Sequence, residues 1–228
     1  MSESIIDISH AFFDEVVQPI LLRDVPAEAG AMVAGVFGYG SEVLRLDDAY
    51  SRDHHWGLRI NALLPESIFR ERAEPLMAAL SARMPASFRG HSLREGYTRW
   101  GGIELSSLEQ HLRQTIGLDC PPQTYAEWLS IPEEDITHIV AGEVWHDPAG
   151  HFSTIRETLQ GYYPEPVRLR RIAHWCRYFS GMGAYALNRA VLRDNELYAT
   201  TTFARVIRLG VQLAFLLDRR YFPYDKWL

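Results

Sequence analysis

The sequence predicts an α+β fold, in which a mixed sheet with flanking helices comes first and an all-helical lobe follows. Two short apolar runs, Met32–Phe37 and Leu58–Leu64, are bounded by glycine or proline and have the length of buried strands. Beyond the pair Pro121-Pro122, every segment has helical spacing. Because helices alone follow the mixed part, we predict two lobes, residues 1–119 and residues 120–228.

Local signals set the predicted elements of the first lobe. Apolar residues at helical spacing predict a helix over Ile5–Leu22. A second helix is predicted over Pro65–Met84, because proline favours the first position of a helix. The segment Arg99–Leu105 is a candidate third strand, and either Ser106 or Ser107 can cap the helix that follows it.

The second lobe is predicted to contain helices of unequal length. One is expected over Pro132–Trp145 and a short one over His151–Gly161. Two long helices are predicted over Pro166–Arg193 and Glu196–Arg219. The stretch Ser180–Gly183 is expected to kink the first of these, because glycine weakens a helix interior by about 1 kcal/mol relative to alanine.

The composition is ordinary for a soluble globular protein. Of the 228 residues, 47% are hydrophobic and 23% are charged, and the formal net charge is −6. A negative net charge provides no general attraction to nucleic acid or to an anionic membrane, so we expect neither as a partner. The basic clusters Arg168–Arg171 and Arg219–Arg220 are typical of solvated helix faces, and binding of a phosphate-bearing ligand is the alternative.

The compartment is predicted from what the sequence lacks. Cys120 and Cys176 lie far apart and have no metal-type spacing, which indicates a reduced compartment. The N-terminal residues carry acids and do not have the basic start and apolar centre of a signal peptide. No apolar run approaches the roughly 20 residues needed to cross a bilayer. We therefore predict a cytoplasmic protein.

The strongest chemical pattern lies within Gly38–Asn61. A glycine-rich turn, Gly38–Ser41, follows the first apolar run, and after an acidic segment Asp53-His54-His55 precedes the second run. Glycines let a backbone approach a ligand closely. In a strand, positions two apart face the same side, so Asp53 and His55 are expected to project together while His54 points away. The pattern predicts a phosphate-holding turn beside a metal-binding pair, which together suit a nucleoside triphosphate.

This pattern resembles that of a known superfamily. Gly40-Ser41, then a gap, then an acid-x-acid pair is similar to the signature of the nucleotidyltransferase superfamily, which has the polymerase-beta-like fold. Three stretches resemble its bacterial DUF4037 branch: SRDHHWG (Ser51–Gly57), AGEVWHD (Ala141–Asp147) and RRYFPYDKW (Arg219–Trp227). The resemblance covers nearly the whole chain. In the branch pattern the second acid is aspartate, whereas this chain has His55.

The resemblance implies a nucleoside triphosphate and Mg²⁺ (or Mn²⁺) as ligands. It assigns Gly40 and Ser41 to the triphosphate. It assigns the metal ions, which clamp the attacking and leaving oxygens, to Asp53, His55 and an acid on a neighbouring strand, for which Glu104 is the best candidate. Magnesium prefers oxygen ligands, whereas imidazole suits zinc, copper, nickel or iron. Asp53 and His55 are therefore expected to hold one weak magnesium ion, a transition metal or no metal.

Other candidate residues lie outside the glycine-rich stretch. Glu143, His146 and Asp147 form a polar cluster at a predicted helix end. One account is capping and helix–helix hydrogen bonding. The resemblance implies instead that this end contacts an acceptor, with Glu143 as a catalytic base and His146 as a binding residue. Lys226 is a candidate for neutralising a phosphate. The loop acids Asp47-Asp48 are alternatives to the acid on the third strand.

Three functional hypotheses remain open from the sequence. The first is a nucleotidyltransferase-like enzyme of small-molecule or specialised metabolism, which uses a nucleoside triphosphate and a small-molecule acceptor. The second is a catalytically degenerate nucleotide-binding or regulatory module, which the substitution at His55 motivates. The third is a metal-independent enzyme acting on a nucleoside- or phosphate-bearing substrate with His55 as acid and base. Four apolar residues of the last helix fit an internal core or a homodimer face equally well: Phe203, Val206, Leu213 and Phe215.

Overall fold

A computed structural model describes residues 4–48, 50–51, 57–93 and 102–227 of the chain. By their contacts the residues form two compact units. Unit 1 comprises Met1–Pro121 and His138–Gln160, and unit 2 comprises Pro122–Thr137 and Gly161–Leu228. Residues 138–160, which follow the predicted lobe boundary in sequence, therefore belong with the first unit.

Unit 1 begins with a nearly continuous helical segment. Helix α1 (Ile5–Phe12) starts with a capping box, in which the Ser4 hydroxyl accepts from the backbone of Asp7 and the Asp7 carboxylate accepts from the backbone of Ser4. A π-helical turn (Phe13–Val17) leads into α2 (Gln18–Asp24), and α3 (Pro26–Ala31) follows. The predicted helix over residues 5–22 is confirmed, with a π-turn in its middle.

A four-stranded mixed sheet forms the centre of unit 1. Its strands, in the order β5-β2-β1-β6, are β5 (Ile103–Ser107), β2 (Ile60–Leu64), β1 (Val33–Val36) and β6 (Glu143–His146). β1 is antiparallel to β2 and β6, and β2 is parallel to β5. A separate pair is formed by β3 (Ser87–Phe88) and β4 (His91–Ser92). The three predicted strands are confirmed within the described residues, and the α+β fold class is confirmed with them.

The main core lies on one face of the sheet. Ile60, Ala62 and Ile103 point to this face and pack with Phe12 and Phe13 from the N-terminal helices. Helix α4 (Glu66–Ser81), which starts directly after Pro65 as predicted, contributes to the same core. Helix α5 (Leu108–Ile116) begins at Ser107, whose hydroxyl accepts from the Gln110 amide, and this cap also agrees with the prediction.

The predicted helix over residues 132–145 is wrong. The chain forms only a short helix, α7 (Thr137–Val140), and then enters β6. Gly142, two residues after the end of this helix, has a φ of +75°, and it approaches β1 so closely that a Cβ would lie 2.1 Å from the Val36 carbonyl oxygen. Glycine is the residue that permits both conditions. The polar cluster that follows Gly142 is consequently on a strand at the sheet edge, and not at a helix end.

Helices make up unit 2. Helix α6 (Tyr125–Ser130) is capped by Thr124, and α9 (Glu165–Ser180) continues through a π-helical segment (Gly181–Leu187) into α10 (Asn188–Leu192). At the stretch Ser180–Gly183, where a kink was predicted, the chain enters this π-helical segment. Helix α11 (Glu196–Leu217) packs along α9. Helix α8 (His151–Gln160), which belongs to unit 1, matches the predicted short helix.

One described helix is long and apolar enough to cross a membrane, judged by its length and composition alone. It is α11, with a mean hydropathy of 1.2 over its most apolar window, of which 22% is buried. Core helices of soluble proteins pass the same test, and Arg205 and Arg208 lie within this helix. The helix is therefore weak evidence for a membrane span.

Candidate functional site

The glycine turn at the end of β1 has a backbone that other residues adopt only with strain. Gly38 and Gly40 have φ values of +84° and +138°. A Cβ on Gly40 would lie 2.4 Å from a carboxylate oxygen of Glu42. The Gly38 amide donates to the His138 carbonyl oxygen at 3.0 Å, and the His138 ring nitrogen Nδ1 lies 3.2 Å from the Gly38 carbonyl oxygen. These contacts hold the turn in one conformation.

Ser41 closes the turn with a hydroxyl that is not used within it. The Ser41 carbonyl oxygen accepts from the amides of Leu44 and Leu46, which fixes the short 3₁₀ turn Glu42–Leu44. The Ser41 side chain does not cap that turn and has no hydrogen bond with any described residue. Because Ser41 is only half-buried, its hydroxyl is available to a ligand.

A buried ion pair lies behind the turn. One Arg59 nitrogen, Nη2, donates to the Tyr39 carbonyl oxygen at 2.9 Å and to Glu42 Oε1 at 2.9 Å. The side chains of Arg59 and Glu42 are each 8% exposed. The Arg59 amide also donates to the Ser9 hydroxyl on α1. Arg59 therefore ties the turn to the sheet and to the first helix, and it neutralises the Glu42 carboxylate.

Glu104 is linked to the start of the turn through one side chain. The Asn61 Nδ2 amide donates to Glu104 Oε2 at 2.8 Å, and Asn61 Oδ1 accepts from the Phe37 amide at 3.1 Å. Asn61 pairs with Glu104 in the β2–β5 ladder and with Gly35 in the β1–β2 ladder. The half-buried Glu104 carboxylate is thus held at the end of the sheet where β1 enters the glycine turn.

A neutral imidazole flanks the turn on its other side. His111, on α5, lies edge-on to Phe37 and Phe152, with ring centroids 5.5 and 5.9 Å away. Its Cε1 atom would be 3.9 Å from a Cβ on Gly38. Burial among these groups lowers the pKa of His111 to about 4, so the ring is uncharged at neutral pH. Its Nε2 is buried without a hydrogen-bond partner in the described chain.

The sequence alone did not single out His111, Asn61 or Arg59. Each lies far from the glycine turn in sequence and joins it only through the sheet and α5. Asn61 and Arg59 do follow the histidine pair closely, at the entry to β2. A polar residue inside an otherwise apolar strand is the signal that points to Asn61.

Glu143 lies on the opposite face of the sheet from Glu104. Its carboxylate accepts from Arg45 Nη2 at 2.6 Å and from the Trp145 indole at 3.0 Å. The Trp145 ring packs on the main core and stacks on the His10 ring of α1, with the two ring centroids 4.6 Å apart. Asn61 and Glu104 alternate with core residues and so face away from that core. The structure therefore does not bring the two predicted catalytic glutamates together.

The remaining predicted residues are engaged in local structure. His146 Nε2 lies 2.8 Å from the Ala29 carbonyl oxygen. Asp147 accepts from three amides of the first turn of α8, which makes it a helix cap. Asp48 accepts from the amides of Tyr50 and Ser51. Lys226 of unit 2 places its ammonium nitrogen 5.0 Å from the centre of the Trp227 ring.

Asp53, His54 and His55 lie outside the described residues. The predicted pair Asp53/His55 consequently stays a prediction. In the described ranges, no three His, Cys, Asp or Glu side chains are grouped so that they could hold a metal ion.

Comparison with known proteins finds a match in the C-terminal part of the chain. No curated protein and no solved structure matches the chain. The matching family model is described as a domain of unknown function. Residues 128–228 carry this domain, DUF4037.

Proposed function

We propose that unit 1 binds a nucleoside triphosphate at the glycine turn, together with a divalent metal ion, and transfers a nucleotidyl group to a small-molecule acceptor. One observation carries the proposal: Asn61 joins the Glu104 carboxylate to the amide of Phe37, directly before the turn. A carboxylate and the Ser41 hydroxyl, which no described residue engages, are therefore supplied at the same end of the sheet. Phosphate oxygens need donors and Mg²⁺ needs oxygen ligands, and these two groups meet both needs.

The proposed roles divide between the described residues and those outside them. Ser41 and the backbone amides around Gly40 bind triphosphate oxygens. Glu104 supplies one oxygen ligand to the metal, and Asp53 with His55 completes the ligand set. A divalent ion held by these residues would supply positive charge that stabilises the negative charge developing on the phosphate oxygens. The Arg45 contact makes Glu143 unsuitable as a base in this arrangement, so no role is assigned to it.

The test is ligand-dependent stability measured with and without metal. We expect non-hydrolysable analogues of at least one of the four nucleoside triphosphates to raise the melting temperature only with Mg²⁺ or Mn²⁺. At a concentration 100 times the dissociation constant, the stabilisation is about 2.7 kcal/mol. Ser41→Ala and Glu104→Gln should each weaken binding by about tenfold or more, because each removes a contact to a charged group.

Two exposed residues of unit 1 provide matched controls. Ser67→Ala and Glu157→Gln make the same chemical changes at positions whose side chains have no hydrogen bond or ion pair with any described residue. They should leave nucleotide binding unchanged. The absence of any metal-dependent shift with all four nucleotides would contradict the proposal, and so would equal losses in the site variants and in the controls.

A second candidate function is a degenerate nucleotide-binding module without transfer activity. It is favoured by the charges beside the turn, since Glu42 is neutralised by Arg59 and Glu143 by Arg45. Histidine at position 55 removes one more negative charge from the ligand set that the resemblance implies. If this candidate holds, His55→Asp creates Mg²⁺ binding that the natural protein lacks. Ordinary Mg²⁺ affinity in the natural protein, measured by calorimetry, argues against it.

A further inference from the structure

We propose that a cleft in unit 2 binds a small molecule that carries a phosphate or carboxylate group on a flat ring. The cleft lies between α6 and α9 and has a volume of about 250 Å³. It is lined by Leu129, Glu133, Arg170, Arg171, His174 and Trp175. This site lies within unit 2 and does not depend on the glycine turn.

The floor of the cleft is a buried charge network that is internally balanced. The side chain of Glu133 is only 4% exposed. Its Oε1 accepts one hydrogen bond from Arg171 Nη1 at 3.0 Å and another from the Trp175 indole nitrogen at 2.5 Å. Its other oxygen accepts from the Gln212 amide at 2.8 Å. Both carboxylate oxygens are therefore occupied, and the charge of Glu133 is offset by Arg171.

Arg171 is fixed in place by the turn that follows α6. Its Nη2 donates to the carbonyl oxygens of Trp128 and Ile131 at 2.9 and 2.7 Å. Its guanidinium carbon lies 4.9 Å from the centre of the Tyr163 ring. These contacts make the wall of the cleft rigid before any ligand binds, which lowers the entropic cost of binding.

Arg170 carries the one positive charge among the lining residues that this network does not pair with a carboxylate. Its neighbour Arg168 pairs with Glu165, and Arg171 pairs with Glu133. Arg170 is exposed and has no ion pair or hydrogen bond with any described residue. With Glu133 and Arg171 cancelling, the cleft carries one net positive charge, which suits a single anionic group. Arginine presents a planar fork of donors that matches phosphate and carboxylate oxygens.

The apolar part of the proposed ligand follows from the other lining residues. Trp175 and His174 present rings to the cleft, and Leu129 adds an aliphatic surface. The volume is below the roughly 300 Å³ typical of pockets for drug-sized molecules, so the ligand is small. A single ring with one anionic group satisfies the size, the charge and the lining.

The experiment uses phenyl phosphate and benzoate as probes on the full chain, with inorganic phosphate and phenol as partial probes. The side-chain indole resonances of the six tryptophans report binding, and Trp175→Phe assigns the resonance of Trp175. We expect saturable shifts of that resonance with phenyl phosphate or benzoate, and weaker binding of the two partial probes. Which of the two ring anions binds more tightly identifies the anionic group.

Matched arginine variants test the role of the Arg170 charge. Arg170→Ala should weaken binding by about tenfold or more, because it removes a charge-assisted contact. Arg205→Ala removes the same charge from an exposed position on α11, and it should leave binding unchanged. The proposal is overturned if neither ring anion gives a saturable shift, if phenol binds as tightly as phenyl phosphate, or if both arginine variants behave alike. Because none of these variants touches the glycine turn, the nucleotide test is independent of this result.

Discussion

The ion pair behind the glycine turn offers the sharpest test of how this fold holds its candidate site. Arg59 Nη2 contacts both Glu42 Oε1 and the Tyr39 carbonyl oxygen at 2.9 Å, and both charged side chains are 8% exposed. Arg59→Ala leaves the Glu42 carboxylate buried without its cation. The same change removes the donor that fixes the backbone of the turn, so the turn should lose its conformation together with stability.

The size of the effect follows from the burial of the pair. Removing one partner of a buried ion pair costs about 3–5 kcal/mol, because the other charge stays desolvated. For a chain of this length, that corresponds to a fall of about 6–20 °C in melting temperature. Arg70→Ala is the matched control, since Arg70 pairs with Glu66 one helical turn away and its side chain is 73% exposed. An exposed helical pair contributes only about 0.3–0.5 kcal/mol.

The assay is urea unfolding of the natural protein, the two single variants and the double variant Arg59→Met/Glu42→Met. Replacing both charges by apolar side chains of similar size is often neutral, so the double variant should recover much of the stability lost by Arg59→Ala. The reasoning is refuted if Arg59→Ala costs no more than Arg70→Ala. It also fails if the double variant is less stable than Arg59→Ala, because the penalty then does not come from an orphaned carboxylate.

Two further predictions concern the same turn. Gly40→Ala should cost about 1–3 kcal/mol and abolish nucleotide binding, because its φ is +138° and the new Cβ would meet the Glu42 carboxylate at 2.4 Å. Gly117→Ala, at φ +75° with nothing within 4 Å, is the control for backbone strain alone, and equal losses in urea unfolding would contradict the steric argument. His111 has a folded-state pKa lowered to about 4, so between pH 6.5 and 4 the unfolded chain binds a proton that the folded chain excludes. Stability should therefore fall as the pH falls through this window, by up to about 3 kcal/mol. His111→Phe should remove that part of the slope in unfolding curves from pH 4.5 to 7.5, and an unchanged slope would exclude His111 as its source.

Elements with local signals at their ends were predictable from the sequence. Ser107 supplies a hydroxyl cap, and Pro65 fixes the backbone where α4 begins. The apolar runs that became β1 and β2 are short and are bounded by residues that break helices. In each case the physical cause acts within a few residues, and a sequence displays such causes directly.

Strand β6 was not predictable, because its cause is not local. The residues EVWH follow a segment with helical spacing, and only pairing with β1 makes them a strand, with Val36 opposite Glu143. The signal was Gly142, whose φ of +75° and close approach to the Val36 carbonyl oxygen allow the chain to turn into the sheet. Without knowledge of the partner strand, this glycine indicates only an ordinary interruption of a helix.

The candidate site shows the same limit for side chains of one type. Glu42, Glu104 and Glu143 carry the same side chain, and the sequence does not show which of the three carboxylates has a cationic partner. Arg59 neutralises the first and Arg45 the third, whereas Glu104 bonds to the neutral amide of Asn61 and has no cationic partner in the described chain. Among these three, the uncompensated negative charge at this end of the sheet is that of Glu104. A divalent ion held here would need further oxygen ligands, so the residue at position 55 decides between transfer and simple binding. A carboxylate at that position should strengthen Mg²⁺ binding in the natural fold, and Glu104→Gln in the same His55→Asp background should abolish the gain.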